Sequence, residues 1–532
     1  MGGGINIIIV ETGQELKIYR GISFMHKPRR AISIALITLA LLIAVPLGFH
    51  AAPSPTGQTI LIINAQLADG TGGPLREGAL RIHGSHIVGI GKLMPAAGER
   101  VIDARGLILA PGFIDIHNHS IEGLDSDPLA ETQVAQGITT AVQGPDGDSP
   151  WPIKDWIEHR GKSPAALNVA VFAGHATIRE QVMGKDFKRV ATPQEIEKMA
   201  QLTWQAMNEG AIGLSSGLEY EIGSYSNTAE LVAMARSAAE HGGFYSTHIR
   251  DEADKAFEAL LEEIEIAEQA HIPVDHSHIK LGTVGVQGKA SEYIHIIDEA
   301  RNRGVDFLAD CYPYDAWHSN LKVTVPDKQY ENPKSVAKAI ADLGGPDHLA
   351  ITEFKPNPSY VGHSLAELAR SNKLSAVEMF IRIIREGDAA NSEAEIIGHS
   401  MIESDIKAFY QQKWVMVASD GGIGSAHPRG AGTFPRVLGR FVREKHWLTL
   451  PEAVRKMTSL PAQRIGWADR GVLREGAIAD LVLFNPATVL DRSTFAQPQE
   501  LPIGIEKVFV NGVLVWSDAK PTGATPGQVL TH

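Results

Sequence analysis

The sequence predicts an α/β protein built on a (β/α)₈ TIM-like barrel. A small β-sandwich domain is expected from both chain ends, and a subdomain from an insertion after strand seven. Three observations carry this. Short apolar runs alternate with helix-period segments through the middle of the chain, the pattern of parallel βα units. Strand-rich stretches with turn signals stand near both ends, in ILIINAQLADGTGG and GALRIHGSHIVGIG and again in ADLVLFNP and KVFVNGVLVW. The gap at roughly 315–412 is too long for one crossover. With 532 residues and 44% hydrophobic content, the chain can bury a large core and divide into domains.

In order, the expected parts are an N-terminal extension and signal segment (1–52), a first β-part (57–110), the barrel (111–465, insert about 315–412), a second β-part (466–520) and a tail (521–532). Met25 to Arg30 is basic, Ala31 to Phe49 almost wholly apolar, and Ala51 to Pro55 small and Pro-rich. That layout over 25–52, with Met25 as candidate start, reads as an export signal and predicts a periplasmic or secreted protein. The alternative is an uncleaved membrane anchor, because the run approaches the length of a span. Net charge is −13, which leaves no basic surplus for nucleic acid. The single cysteine, Cys311, excludes an internal disulfide and a thiolate zinc cluster.

Barrel strands are expected at 113–119, 138–143, 168–173, 210–216, 243–248, 272–278, 305–311 and 414–420. The segment 251–270 illustrates the helices, with Ala253, Ala256, Phe257, Leu260, Leu261, Ile264 and Ala267 as one apolar stripe among acids.

In such barrels chemistry sits where strands end. The first strand, PGFIDIHNH, ends in His117 and His119, which as residues two apart share a face, as two ligands of one metal must. Strand five ends at His248, strand six offers His276 and His278, and strand eight ends at Asp420. Two paired histidines, two further histidines and a last aspartate at one rim form a metal-site constellation. Neutral imidazoles suit Zn²⁺, as one or two ions, with another divalent metal open.

This order resembles the amidohydrolase superfamily, and more narrowly the D-aminoacylase (N-acyl-D-amino-acid deacylase) family. The matching words include LAPGFIDIHNH, QGITTAVQG, GHATIRE, GAIGLSSGLEY, THIRDE, SHIKLG, ADCYPYDA, SDGG and AHPRGAGTFPRVLG. The last is specific to this branch, whereas His-x-His with a late aspartate is superfamily-wide. The resemblance implies that His248 and His278 hold the tighter zinc, while His117, His119 and Asp420 frame a second position. His278 is preferred to His276 because it matches the SHxK word. Asp420 would be the general base, moving a proton from the attacking water to the leaving amine. Lys280, Arg429 and Tyr220 match positions that hold the substrate's α-carboxylate, a fit for an arginine fork and a lysine point charge. His175 and Arg179 either shape the site or support it, and Tyr312 and Tyr314 read as pocket wall.

One departure matters. Strand four carries no lysine to bridge two metals, and GPDG places Asp146 where the branch has a cysteine. Asp146 or Glu219 would then supply the bridging carboxylate. Glu219 is placed ahead, because it stands where the superfamily's bridging group usually originates. The expected function is metal-dependent hydrolysis of the amide of N-acyl-amino acids, with the D configuration favoured. The alternatives are a dipeptidase or other small-amide hydrolase on the same site, and a non-catalytic metal-binding barrel protein. The expected partner is a small molecule, an N-acyl-amino acid or dipeptide.

Overall fold

The computed structural model describes residues 59–531, and the candidate export segment at 25–52 lies outside the described residues. Both ends of the described chain meet in one nine-stranded sheet. Its N-terminal strands are Thr59–Leu67, Arg76–His83, His86–Gly91, Arg100–Asp103 and Ile108–Pro111; its C-terminal strands are Leu481–Phe484, Ile505–Val510, Val513–Ser517 and Lys520–Pro521. The ends are joined by antiparallel pairing of Ile108–Pro111 with Leu481–Phe484, Leu109 opposite Leu483. Backbone hydrogen bonds from Ile87 to Ala477 (2.9 Å) and from Ala479 to Ser85 (2.8 Å) bring the far edge round onto the chain before Leu481. Ile62, Leu80, Ile82, Leu109, Leu483 and Phe509 therefore share one buried cluster, the inner faces of the curled sheet.

The barrel strands are Phe113–Asp115, Ile138–Gln143, Asn168–Val171 continued by Ala173–Gly174, Gly213–Gly217, Phe244–His248, Val274–His276, Phe307–Cys311 and Val415–Val417. Each pairs in parallel with the next in chain order. Hydrogen bonds from Asp420 N to His117 O (3.0 Å) and from His119 N to Gly421 O (2.8 Å) bring the eighth strand back to the first. The strands are buried throughout, as a parallel sheet covered by helices requires.

Strands one, six and eight are shorter than expected, ending at Asp115, His276 and Val417. The residues beyond leave the extended conformation: His278 has φ 37° and Asp420 φ 48°. A left-handed residue interrupts the extended backbone, so strands six and eight stop short of His278 and Asp420. The helix expected at 251–270 spans Ala256–Ala270 and buries Leu260, Ile264 and Ala267. Leu261, expected in that stripe, is 53% exposed. One helical step from Leu260 is about 100°, which carries its side chain off the core face.

After strand seven the chain builds an antiparallel sheet of Trp317–Asn320, Glu395–Gly398 and Leu349–Glu353, with Glu395–Gly398 central. Helices Pro333–Asp342, Leu365–Asn372 and Ala376–Ala390 cover it, the last two opened by capping boxes at Ser364 and Ser375. Val336, Leu349, Ile351, Leu365, Phe380 and Ile384 belong to a cluster of its own. Among the described residues, no helix is long and apolar enough to cross a membrane.

Candidate metal centre

The strand ends bring four histidines and two aspartates together. His117 Nε2 lies 3.4 Å from Asp146 Oδ2 and 3.5 Å from Asp420 Oδ1. His119 Nε2 lies 3.6 and 3.2 Å from the same two oxygens. The other oxygen of Asp146 is 3.5 Å from His278 Nε2, which stands 3.0 Å from His248 Nδ1. Three sets of potential ligand atoms arise, each within 4.8 Å: His117, His119, Asp146 and Asp420; Asp146, His248 and His278; Glu219, His248 and Glu252. Asp146 is common to the first two.

The position of Asp146 follows from its loop. It takes φ 56°, between Gly144 and Gly147, which are also left-handed at 73° and 84°. Strand four presses on it from outside, since a Cβ on Gly217 would meet the Asp146 carbonyl at 2.3 Å. The loop thus curls inward across the rim. Glu219 turns elsewhere, its Oε2 2.9 Å from His248 Nε2, and shares no set with His117 or His119. In this geometry Asp146, and not Glu219, is the carboxylate common to two of the sets.

The residues fit a divalent cation. His117 Nδ1, His117 Nε2 and Asp146 Oδ1 are buried without a hydrogen-bond partner, whereas buried polar atoms are normally satisfied. Burial opposes charge on His117, but Asp146 and Asp310 outweigh it and hold the imidazole well above its ordinary range. Burial would likewise raise Asp146, yet His117 and His278 keep it well below the usual carboxylate range. Converging carboxylates demand positive charge, which protons on imidazole or a metal ion can supply.

Asp420 is held low for a similar reason. Burial raises it, but the Arg429 guanidinium, with Nη1 2.7 Å from Oδ2, and then His278 prevail. Arg429 opens the helix Arg429–Arg436, is 5% exposed, and leaves its Nε without a hydrogen-bond partner while Nη1 pairs with Asp420. It packs 4.8 Å from the Tyr312 ring centroid, and Lys280 Nζ lies 5.9 Å from the same ring, so Tyr312 is wall. Tyr314 likewise packs, its hydroxyl donating to the Pro428 carbonyl at 3.2 Å. Lys280 is buried, Nζ donating to Glu252 Oε1 at 2.6 Å and lying 2.8 Å from His278 Nδ1. The Tyr220 ring is 4.6 Å from that of His248. A cleft of about 1670 Å³ opens onto His119, Asp146, Tyr220, Asp420 and Arg429.

Two residues in the centre carry no role in the sequence reading. Asp310 accepts the His278 backbone N–H at 2.9 Å through Oδ1, and its Oδ2 lies 3.4 Å from His117 Nδ1. Glu252 joins Lys280 to His278, with Oε1 3.2 Å from Nδ1. Both stand in matched words, ADCYPYDA and THIRDE, just at or beyond a strand end; that was the available signal.

Other candidates fall outside the centre. His276 bonds Glu263 at 2.5 Å on the covering helix Ala256–Ala270. Cys311 is buried with its thiol against backbone carbonyls, and burial pushes that thiol up. His175 and Arg179 both bind the fully buried Glu230, and Arg179 also donates to the Phe187 carbonyl at 3.0 Å. Their arrangement is structural. Glu230→Ala is expected to lower unfolding free energy by about 3–5 kcal/mol, the cost of orphaning a buried charge. Urea denaturation checks this; a loss under about 1 kcal/mol, as for a surface pair, would remove Glu230 as the anchor.

The chain is similar to known proteins over most of its length. The amidohydrolase family profile matches residues 100–310 and 362–516. A D-aminoacylase of Alcaligenes xylosoxydans xylosoxydans is 35% identical over 498 residues, 89% of this chain and 97% of that protein. An N-acyl-D-glutamate deacylase of the same organism is 36% identical over 495 residues, 88% of this chain and 96% of that protein. The crystal structure of the N-acyl-D-glutamate deacylase from Bordetella bronchiseptica, complexed with zinc and a phosphonate inhibitor mimicking the tetrahedral intermediate, superposes with TM-score 0.81. It is 33% identical, over 90% of this chain and 100% of that one.

Proposed function

This chain belongs to the amidohydrolase family, in its D-aminoacylase branch, and from that premise we infer that it hydrolyses the amide bond of N-acyl-D-amino acids with the help of zinc. The observation that carries the reading is the convergence of four histidines, Asp146 and Asp420 beside a buried arginine whose Nε is open. His117, His119, His248, His278, Asp146 and Asp420 would hold one or two ions. Zinc held by these residues would supply polarisation of the amide carbonyl and a more acidic attacking water.

The chain's own groups do the rest. Arg429, Lys280 and Tyr220 bind the α-carboxylate of the substrate, Arg429 through an Nε that is otherwise open. This orients the amide toward Asp420. Asp420 takes a proton from water as its oxygen bonds to the carbonyl carbon, then gives that proton to the nitrogen as the C–N bond breaks. A carboxylic acid and a free amino acid leave. Asp310 keeps the His117 ring oriented through Nδ1, as partners behind metal-binding histidines do.

A screen of N-acyl-D-, N-acyl-L- and dipeptide substrates against zinc-reconstituted enzyme tests the reading. Amine release is expected from the N-acyl-D series. Release only from dipeptides would replace it with the dipeptidase reading.

We further propose that the protein is exported, supported by the basic start and apolar run from Ala31. Terminal sequencing of protein from the native host is expected to find a start near Ala51–Pro55 in the periplasmic or secreted fraction. Full-length protein in washed membranes would favour an anchor; full-length protein in the cytosol would refute both.

A further inference from the structure

His427 stands two residues before Arg429 in the word AHPRGAGTFPRVLG and has no part in the reaction as described above. It is fully buried, as is Ala316, the residue before the strand Trp317–Asn320 of the insertion. We propose that His427 is the positioning residue for Arg429, fastening the backbone that carries the guanidinium to the first strand of the insertion. The proposal rests on the deacylase reading above, in which Arg429 holds the α-carboxylate.

Two hydrogen bonds define the ring. The Arg429 backbone N–H donates to His427 Nδ1 at 3.0 Å, so Nδ1 carries no proton. The proton is then on Nε2, which donates to the Ala316 carbonyl at 3.1 Å. One imidazole thus joins the start of the helix Arg429–Arg436 to the approach of the strand Trp317–Asn320. The Arg429 N–H lies in the first helical turn, where the helix itself supplies no acceptor. Without Nδ1 it would be buried and unsatisfied. A protonated ring would donate from both nitrogens and lose that bond. Burial, then Arg429 and His318, outweigh Asp420 and hold His427 well below the ordinary imidazole range. The ring is a fixed strut and not a proton carrier.

Neighbouring rings keep the imidazole from turning. Tyr314 meets it edge-on at 5.3 Å and 90°, Phe495 at 5.1 Å and 89°, and Tyr312 lies at 6.3 Å. Tyr312 is also the ring against which the Arg429 guanidinium packs. The same strand of the insertion reaches the side chain too, since Arg429 Nη2 lies 3.5 Å from the His318 carbonyl. Backbone and guanidinium of Arg429 are therefore both set from one strand. This matters because Nη1 pairs with Asp420 while Nε stays open for substrate. A shift of the helix start would carry the fork away from both.

Two amide substitutions separate the bonds. His427→Asn puts an oxygen near Nδ1 and keeps an acceptor for the Arg429 N–H, but falls short of Ala316. His427→Gln reaches toward Ala316 and leaves that N–H unpaired. Both are compared with the unsubstituted protein at equal zinc content, using the N-acyl-D-amino acid that it hydrolyses fastest.

His427→Gln is expected to raise KM by about tenfold or more while kcat changes less, as misplacement of a substrate-holding group does. His427→Asn is expected to restore KM to within about threefold of the unsubstituted value. In an Arg429→Met background, His427→Gln is expected to lower kcat/KM by less than about twofold, because its target is gone. A further tenfold loss there, equal losses from the two amides, or an unchanged KM in His427→Gln would each refute the assignment. Should His427→Gln lose its fold in thermal melting, the decision passes to His427→Asn, and a KM raised by about tenfold would refute it. Failure of the unsubstituted zinc-loaded protein to hydrolyse any N-acyl-D-amino acid would instead overturn the deacylase reading, and this role with it.

Discussion

Asp420→Asn is expected to give a folded, zinc-containing protein whose kcat falls by about 10²–10⁴-fold, the usual contribution of general acid–base catalysis. The substitution tests proton transfer with little confounding. Asp420 sits at φ 48°, a left-handed position that asparagine tolerates nearly as well as aspartate. Its backbone N–H still reaches the His117 carbonyl, so the junction of strands eight and one is preserved. The amide keeps an oxygen near His119 but cannot carry a proton from water to the leaving nitrogen. Arg429, freed of its 2.7 Å ion pair, retains its donors for the α-carboxylate, so KM is expected to hold or fall. Steady-state kinetics beside zinc analysis and thermal melting checks this. Activity within a few-fold of the unsubstituted enzyme would remove Asp420 as the proton carrier.

The second large effect is on metal content. Asp146→Asn is expected to weaken zinc binding by more than about 10–100-fold, the range seen when even an outer hydrogen-bond partner of a ligand is lost. Glu219→Gln is expected to do much less. Asp146 alone presents one oxygen toward His117 and His119 and the other toward His278, so its loss removes charge from both ion positions at once. Glu219 faces only His248 and lies beside Glu252, which remains. Asp146→Cys is expected to retain the metal, because a thiolate carries the same charge and suits zinc. Competition with a chromophoric chelator, at equal folding by circular dichroism, measures all three. Greater loss from Glu219→Gln than from Asp146→Asn would reverse the assignment.

Much of the protein can be read from local pattern. Alternating apolar runs and helical stripes place the barrel strands near their observed positions, because side-chain period reports backbone conformation directly. His117 and His119 share a face through their spacing, and the later strand-end histidines and Asp420 make that face a metal-site reading. His248, His278 and Asp420 follow from their places at successive strand ends, and the matched words extend that to Lys280, Arg429 and Tyr220. The long gap after strand seven announces an insertion, which the structure builds as a sheet and three helices over a separate apolar cluster.

Other features depend on contacts between residues distant in sequence. Asp146 comes close to His117, His119 and His278 because a loop of left-handed residues folds inward against strand four, a path that its place in the sequence does not reveal. Asp310 joins the backbone of His278 to the ring of His117, residues on different strands that become neighbours only when the barrel forms. Glu252 reaches Lys280 and His278 in the same way. Leu261 leaves its stripe because burial depends on which arc of a helix faces the barrel. Sequence period determines what a segment is and which residues share its face. Where a ligand's lone pair points is decided by backbone dihedrals at strand ends and by neighbours from other strands, which exist only in the assembled fold.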